Sequence, residues 1–189
     1  GKLSDVSDYA PDKESERLLL TLRRGTGFYE ELEKTAPKRI DLWRRLSVQG
    51  NLAAGWMLGC CFAFGELGEQ DFSKAVKLFS FGADGFGPSA YFLGLCFTYG
   101  LGTAKDLKKA KACFEHAARR RLPEAYLALG LFALESGKAS SGLRAAALFR
   151  CGARAGSLQA KYNYALCFID GIGVKINHER GFRLMLDTA

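Results

Sequence analysis

The side chains with the greatest chemical reach in this 189-residue chain are two histidines and six cysteines. His116 follows Glu115 and His178 precedes Glu179. Neither has a nucleophile nearby in sequence, and a lone helical histidine more often serves structure or faces solvent than catalyses. The cysteines stand at 60, 61, 96, 113, 151 and 167 with no Cys-x-x-Cys pair. With only two histidines beside them, they do not spell a zinc site. Two readings of the thiols stay open. They are small apolar core residues in a reducing, intracellular and cytoplasmic setting, or they form disulfides between paired helices, Cys96 with Cys113 for example. Vicinal Cys60 and Cys61 point to different faces of a helix and make no obvious redox pair. Gly100-Leu101-Gly102 and Gly171-Ile172-Gly173 follow helical rather than strand patterns, which argues against phosphate loops. No catalytic residue, metal or cofactor is expected.

The elements that hold these residues recur. Pro88–Leu122 reads as an uncharged inner helix Ser89–Tyr99, a Gly100-Leu101-Gly102 elbow, and an amphipathic outer helix from about Asp106, its N-cap, to Arg120. Small residues at 59, 94, 130 and 165 repeat at spacings of 35, 36 and 35. A second series, Ala75, Ala110, Ala145 and Gly181, is followed four residues later by Phe79, Phe114, Phe149 and Met185. Small pairs follow in turn, from Gly82-Ala83 to Thr188-Ala189. Glycines close three elbows, whereas the third carries Glu135-Ser136-Gly137. Two series in one register point to stacked helical hairpins, none of which buries its apolar face alone. Glycine or alanine on the inner helix is expected to let the outer backbone approach, with the aromatic filling the space beneath the next unit.

The combined pattern, A-x-x-x-[LY]-[GA], an aromatic, G-x-G, then A-x-x-x-F-x-x-A-A, resembles the Sel-one-like repeat family, relatives of the tetratricopeptide repeat, over residues 36–189. Ser89 in place of the leading Ala and Ala165 in place of Gly depart from it. The resemblance implies an all-α, right-handed α/α superhelix (solenoid) of antiparallel helix pairs that serves as a protein-interaction scaffold. The expected layout is a disordered tail over 1–12, capping helices and a degenerate half repeat over 13–50, and an array over 51–189, divided at about 51–86, 87–121, 122–156 and 157–189. Within the cap, one short helix carries Leu18–Leu22, a second runs through Phe28, Tyr29 and Leu32, Pro37 punctuates, and a third spans Lys38–Val48 with Trp43 in the aromatic place.

The inner helices are apolar nearly all round, so something must cover their spare stripe. That stripe includes Trp56, Met57, Phe64, Tyr91, Phe92, Leu95, Tyr99, Leu131, Tyr162 and Leu166. Three covers are open: neighbouring units, the Leu18–Leu22 helix folded back, or a partner's helix or peptide in a concave groove. The last is favoured, with aromatics as anchors, and a second copy of the chain is the alternative occupant. The formal charge of +7 gathers in part at Lys105, Lys108, Lys109, Arg119, Arg120 and Arg121. This is a solvated outer face or a patch for an acidic partner or RNA, and the lack of interleaved aromatics disfavours nucleic acid. Lys and Arg interrupt every apolar run of membrane-spanning length, so no insertion is expected, and the polar, acidic opening shows no signal or transit peptide.

Overall fold

A computed structural model describes residues 27–137 and 140–186. The tail over 1–12 and the Leu18–Leu22 stretch lie outside the described residues. Those described form helices and no strand: α1 Phe28–Val48, α2 Leu52–Phe64, α3 Phe72–Gly82, α4 Gly87–Tyr99, α5 Leu107–Arg119, α6 Pro123–Glu135, α7 Ser141–Arg154, α8 Leu158–Asp170 and α9 His178–Leu186. They fall into two compact units, one ending at Cys113 and one beginning at Phe114. In the first, α1 packs on α2, α2 on α3 and α3 on α4, and α2 also touches α4. In the second, α6 packs on α7, α7 on α8 and α8 on α9, and α6 also touches α8. Within each unit these helices pack on their neighbours in sequence, and inner helix meets inner helix.

The small residue of the inner helix is a seat for a ring. A Cβ on Gly59 would lie 2.5 Å from Cε1 of Phe79, and one on Gly130 would meet the ring of Phe149, with Cδ1 at 2.7 Å. The ring of the hairpin's own outer helix therefore packs directly against the glycine. The aromatic also fills space beneath the next unit, as expected: the Phe79 ring lies 5.4 Å from that of Phe92 and the Phe114 ring 5.7 Å from that of Phe132. Phe79 and Phe149 are 0% and 1% exposed, and burial of such a ring contributes about 1.5–3 kcal/mol. In the last hairpin Ala165 adds a methyl. There the ring gives way to the more pliable Met185, and Gly181 replaces Ala, its α-carbon facing the Ala165 carbonyl, 3.1 Å from where a Cβ would stand. The later small residues make the next contact. A Cβ on Gly82 would strike Ser89 Oγ at 2.5 Å, and one on Gly152 the Ala160 Cβ at 2.6 Å. Each stands for the outer helix pressed against the third residue or so of the following inner helix.

Three elbows share one construction. After α4, Gly100 turns left-handed (φ 72) and Leu101 N–H donates to Cys96 O at 3.0 Å. Asp106 N–H then reaches back to Phe97 O at 2.9 Å, and the Asp106 carboxylate accepts from Lys108 and Lys109 N–H at 3.0 Å, the N-cap expected there. Lys109 Nζ stands 5.5 Å over the Phe97 ring. The elbow after α2 repeats this with Asp71, Phe62 and Lys74, the cation at 5.3 Å from the ring. The one after α8 uses Asn177, Phe168 and Arg180, at 4.4 Å. A backbone bond, a cap and a cation–π contact of about 0.5–1 kcal/mol at such exposed sites clasp the loop. The capping bonds also hold both aspartates below the usual carboxylate range; for Asp71 the Lys74 N–H is the chief cause, for Asp106 the Lys109 N–H. The third elbow has Ala133 in place of the ring. Ser136 Oγ donates to Ala133 O at 2.7 Å and lies 2.8 Å from Ser141 Oγ instead.

The second elbow glycine stacks hairpin on hairpin. Gly102 (φ 65) abuts the Phe72 carbonyl at the start of α3, and Gly173 (φ 66) abuts that of Gly142 at the start of α7. No side chain fits in either place.

The expected break at Pro37 does not occur. α1 is one helix with Pro37 inside it, so the short helix through Leu32 and the separate helix Lys38–Val48 are a single element. An interior proline costs about 3 kcal/mol. Burial of Phe28, Leu32, Ala36 and Trp43 along one face offsets it, at about 1.5–3 kcal/mol for each large side chain.

All six cysteines are free, and only Cys151 is exposed. Burial, with the Glu66 charge second, pushes the Cys61 thiol up to about 12. Burial also raises Cys96 and Cys167 to about 11, with Cys113 and Asp170 as the lesser causes, and it raises Cys60 well above the ordinary value.

Two predictions follow from this packing. Gly137→Ala meets open space at φ 62 and should cost only the left-handed penalty, about 1–2 kcal/mol. Gly173→Ala should cost about 1–3 kcal/mol more by overpacking, and equal urea midpoints for the two variants would refute the elbow stack. For the thiols, a disulfide reagent should titrate Cys151 rapidly in the native protein, Cys113 slowly, and the others only on unfolding. Because the buried thiols bind their protons more tightly when folded, their contribution to stability is complete below the unfolded value of about 8.5. It falls as pH rises toward about 11 to 12, a loss that denaturation at stepped alkaline pH would register.

Candidate functional site

The stripe expected to line a groove divides sharply by accessibility. Trp56 and Met57 are 0% exposed and Phe92 is 7%, so these three lie in the core rather than on an open groove. Their cover is α1. The Phe28 ring sits 5.6 Å from Trp56, 6.0 Å from Phe92 and 6.3 Å from Phe64, while Tyr29 meets Phe64 edge-on at 4.6 Å. Leu32 and Ala36 extend the seal, at 0% and 1% exposed. Residues Phe28–Ala36 of α1 therefore cover the first unit's stripe; the Leu18–Leu22 stretch expected as an internal cover lies outside the described residues. Phe64 is left half-buried beneath α1.

The rest of the stripe stays accessible. On α4, Tyr91 and Leu95 are half-buried and Tyr99 is 69% exposed. They follow one another at intervals of four and share a face. In the second unit Leu131 of α6 and Tyr162 of α8 are each 43% exposed, with Leu127 and Leu166 half-buried beside them. Leu158, also 43% exposed, precedes Tyr162 by one turn and belongs to the same row. The sequence reading missed it because the row was counted from the Ala165 position only as far back as Tyr162. Since α6 and α8 pack together, these five side chains form an apolar surface on two adjacent inner helices. Asn163 beside it donates to Gln159 O at 2.8 Å.

The basic set also separates. Lys105, Lys108, Lys109, Arg119, Arg120 and Arg121 are all exposed, but Lys108 and Arg119 are eleven helical steps, about 16 Å, apart. Lys108 and Lys109 belong to the clasp at the start of α5. Lys109 Nζ is 3.8 Å from Asp106 as well as over Phe97. The arginines form a separate cluster at the opposite end of the helix, so the six do not make one patch.

Among the described residues no group of three or more His, Cys, Asp or Glu is placed to hold a metal ion, and no helix is long and apolar enough to cross a membrane. His116 is half-buried and His178 exposed on different outer helices.

Comparison with known proteins places this geometry. The Sel1 repeat profile matches residues 53–85, 87–121, 123–157 and 158–186, one match for each hairpin. A crystal structure of a Sel1 repeat protein from Oxalobacter formigenes superposes with a TM-score of 0.68 at 22% identity, covering 82% of this chain and 68% of that one; at that identity it speaks to the fold alone. A protective antigen present in uropathogenic Escherichia coli strains, displaying an SLR fold, aligns at 20% identity with a TM-score of 0.49, over 93% of this chain and 45% of that one. A comparison with curated proteins finds no match. Four consecutive profile matches over most of its length, on helices paired in the same register, mean that the chain belongs to the Sel1 repeat family.

Proposed function

We propose that this chain is a non-catalytic scaffold that takes an amphipathic helix or extended peptide of a protein partner on the apolar surface of α6 and α8. Sel1 repeats generally mediate protein interactions, which supports the class of function. The observation that carries the choice of surface is the contrast within one chain. The first-unit channel is closed by Phe28, whereas Leu131, Tyr162 and Leu158 are each 43% exposed on inner helices whose other faces form the core. Contiguous apolar exposure of this kind marks interaction sites in folded proteins, and tyrosine is among the residues that carry interface energy. Tyr91, Leu95 and Tyr99 offer a smaller, separate face on α4.

A second reading, self-association, is favoured by α9. Phe182 is 57% exposed and Leu186 77%, while Ala146, at the position equivalent to Phe182 one repeat earlier, is 2% exposed.

The two readings give different outcomes. Leu131→Ser with Tyr162→Ser should abolish capture of binding partners by the immobilised protein while leaving far-UV helicity and melting temperature close to those of the parent. Phe81→Ser, on an outer helix and 64% exposed in the parent, should change neither. Retention of every partner by the double variant would refute the α6–α8 surface. Sedimentation velocity across a concentration series should show a single monomeric species, and a dimer dispersed by Phe182→Lys would instead establish the α9 reading.

A further inference from the structure

The backbone conformation of one arginine points to a second surface. In three of the repeats the residue before the inner-helix N-cap is glycine: Gly50, Gly85 and Gly156, with φ of 89 at Gly50 and 105 at Gly156. In the remaining repeat that residue is Arg121, at φ 59, the only non-glycine among the described residues with positive φ. A side chain there strains the backbone, and glycine would remove the strain. Basic residues at a helix C-terminus offset the macrodipole, which accounts for Arg119 at the end of α5. It does not account for Arg121, which lies beyond the helix in a conformation that glycine adopts freely.

The neighbours of Arg121 carry the same charge. A Cβ on Gly152 would stand 3.3 Å from the Pro123 carbonyl and 3.2 Å from Tyr126 Cβ, so the end of α7 lies against the first turn of α6. Arg154 follows Gly152 by two residues and Arg121 precedes Pro123 by two, so along the chain both lie within two residues of this contact. Arg119, Arg120, Arg121 and Arg154 are all exposed. Among the described residues no ion pair engages Arg119, Arg121 or Arg154, whereas Arg144 is within 4.0 Å of Glu115 and Arg183 within 2.9 Å of Glu179. The one acid of that turn, Glu124, is 7% exposed. Residues 114–189 hold eleven Lys and Arg against six Asp and Glu, a net +5 of the chain's +7, and eight of those eleven are arginine. In residues 27–113 three of eleven are. Arginine's planar fork suits bidentate carboxylate recognition better than lysine's point charge. Ring stacking, the other half of single-stranded nucleic-acid binding, has no provision here. Tyr126 is half-buried with its hydroxyl donating to Ala118 O at 2.9 Å, and Phe114 is 1% exposed.

We propose that the arginine edge formed by Arg119, Arg120, Arg121 and Arg154 docks an acidic peptide segment, a run of Asp and Glu carboxylates presented by a protein partner. This surface is distinct from the apolar row on α6 and α8, and its test does not involve that row.

The probe is a fluorescein-labelled decaglutamate peptide, titrated by anisotropy against the full chain at low and near-physiological salt. Binding should weaken with salt. Arg119→Glu with Arg154→Glu should lower affinity about tenfold, while the charge-matched pair Lys77→Glu with Lys175→Glu, both exposed, should lower it less than about twofold. Arg121→Gly is the most telling variant: it should melt at a higher temperature than the parent yet bind the peptide several-fold more weakly. Equal losses from the two charge-reversal pairs would reduce the effect to net charge and overturn the proposal. So would unchanged affinity in Arg121→Gly, or tighter, edge-dependent binding of a labelled oligouridylate.

Discussion

The structure depends on a ring lying on a glycine. Phe79 on Gly59 and Phe149 on Gly130 bring outer and inner helices closer than any residue with a Cβ would permit, and at that distance the rings are sealed from water. Everything else about the hairpin is adjusted to this spacing. The outer helix carries Ala75 or Ala145 one turn before the ring, and the following small residue, Gly82 or Gly152, accepts the next inner helix. The last hairpin shows that the constraint is one of summed volume rather than residue identity. A methyl gained at Ala165 is balanced by losing a methyl at Gly181 and a rigid ring at Met185, as expected of an interior packed to crystal density.

The second constraint is polar and sits at the elbows. A helix that ends between two apolar surfaces leaves carbonyls and N–H groups that must be satisfied locally. The clasp does so with few residues: a left-handed glycine, an Asp or Asn cap bonded back to the inner helix, and a cation over the ring at the bonded position. Lys74, Lys109 and Arg180 thereby hold a loop against a core, which is why part of the chain's positive charge is structural. The excess in residues 114–189 is of another kind, since it concentrates at a helix end beyond any clasp and includes a residue in a strained backbone conformation.

The fate of the apolar inner faces differs between the two units for one reason. In the first, α1 brings Phe28, Leu32 and Ala36 over Trp56 and Phe92 and converts a stripe into core. In the second, the equivalent stripe is shorter in aromatics, and Leu131, Leu158 and Tyr162 keep over two fifths of their surface. The same residue pattern is therefore buried in one unit and partly exposed in the other.

What the sequence determined by itself was whatever short-range geometry dictates. The repeat period, the elbows, the cap at Asp106 and the burial of Phe79, Phe114 and Phe149 follow from spacing along the chain, because a helix turns 3.6 residues at a time and glycine alone turns left without strain. Tertiary structure decided the rest. Pro37 reads as a stop, yet α1 continues through it because burial of one face outweighs a lost hydrogen bond. Trp56 and Phe92 read as anchors for a partner because nothing local distinguishes an aromatic awaiting a ligand from one already covered by a residue some thirty or sixty positions away. Lys109 and Arg119 read as one patch because a list of charges does not show that a ring lies beneath one of them and open solvent around the other.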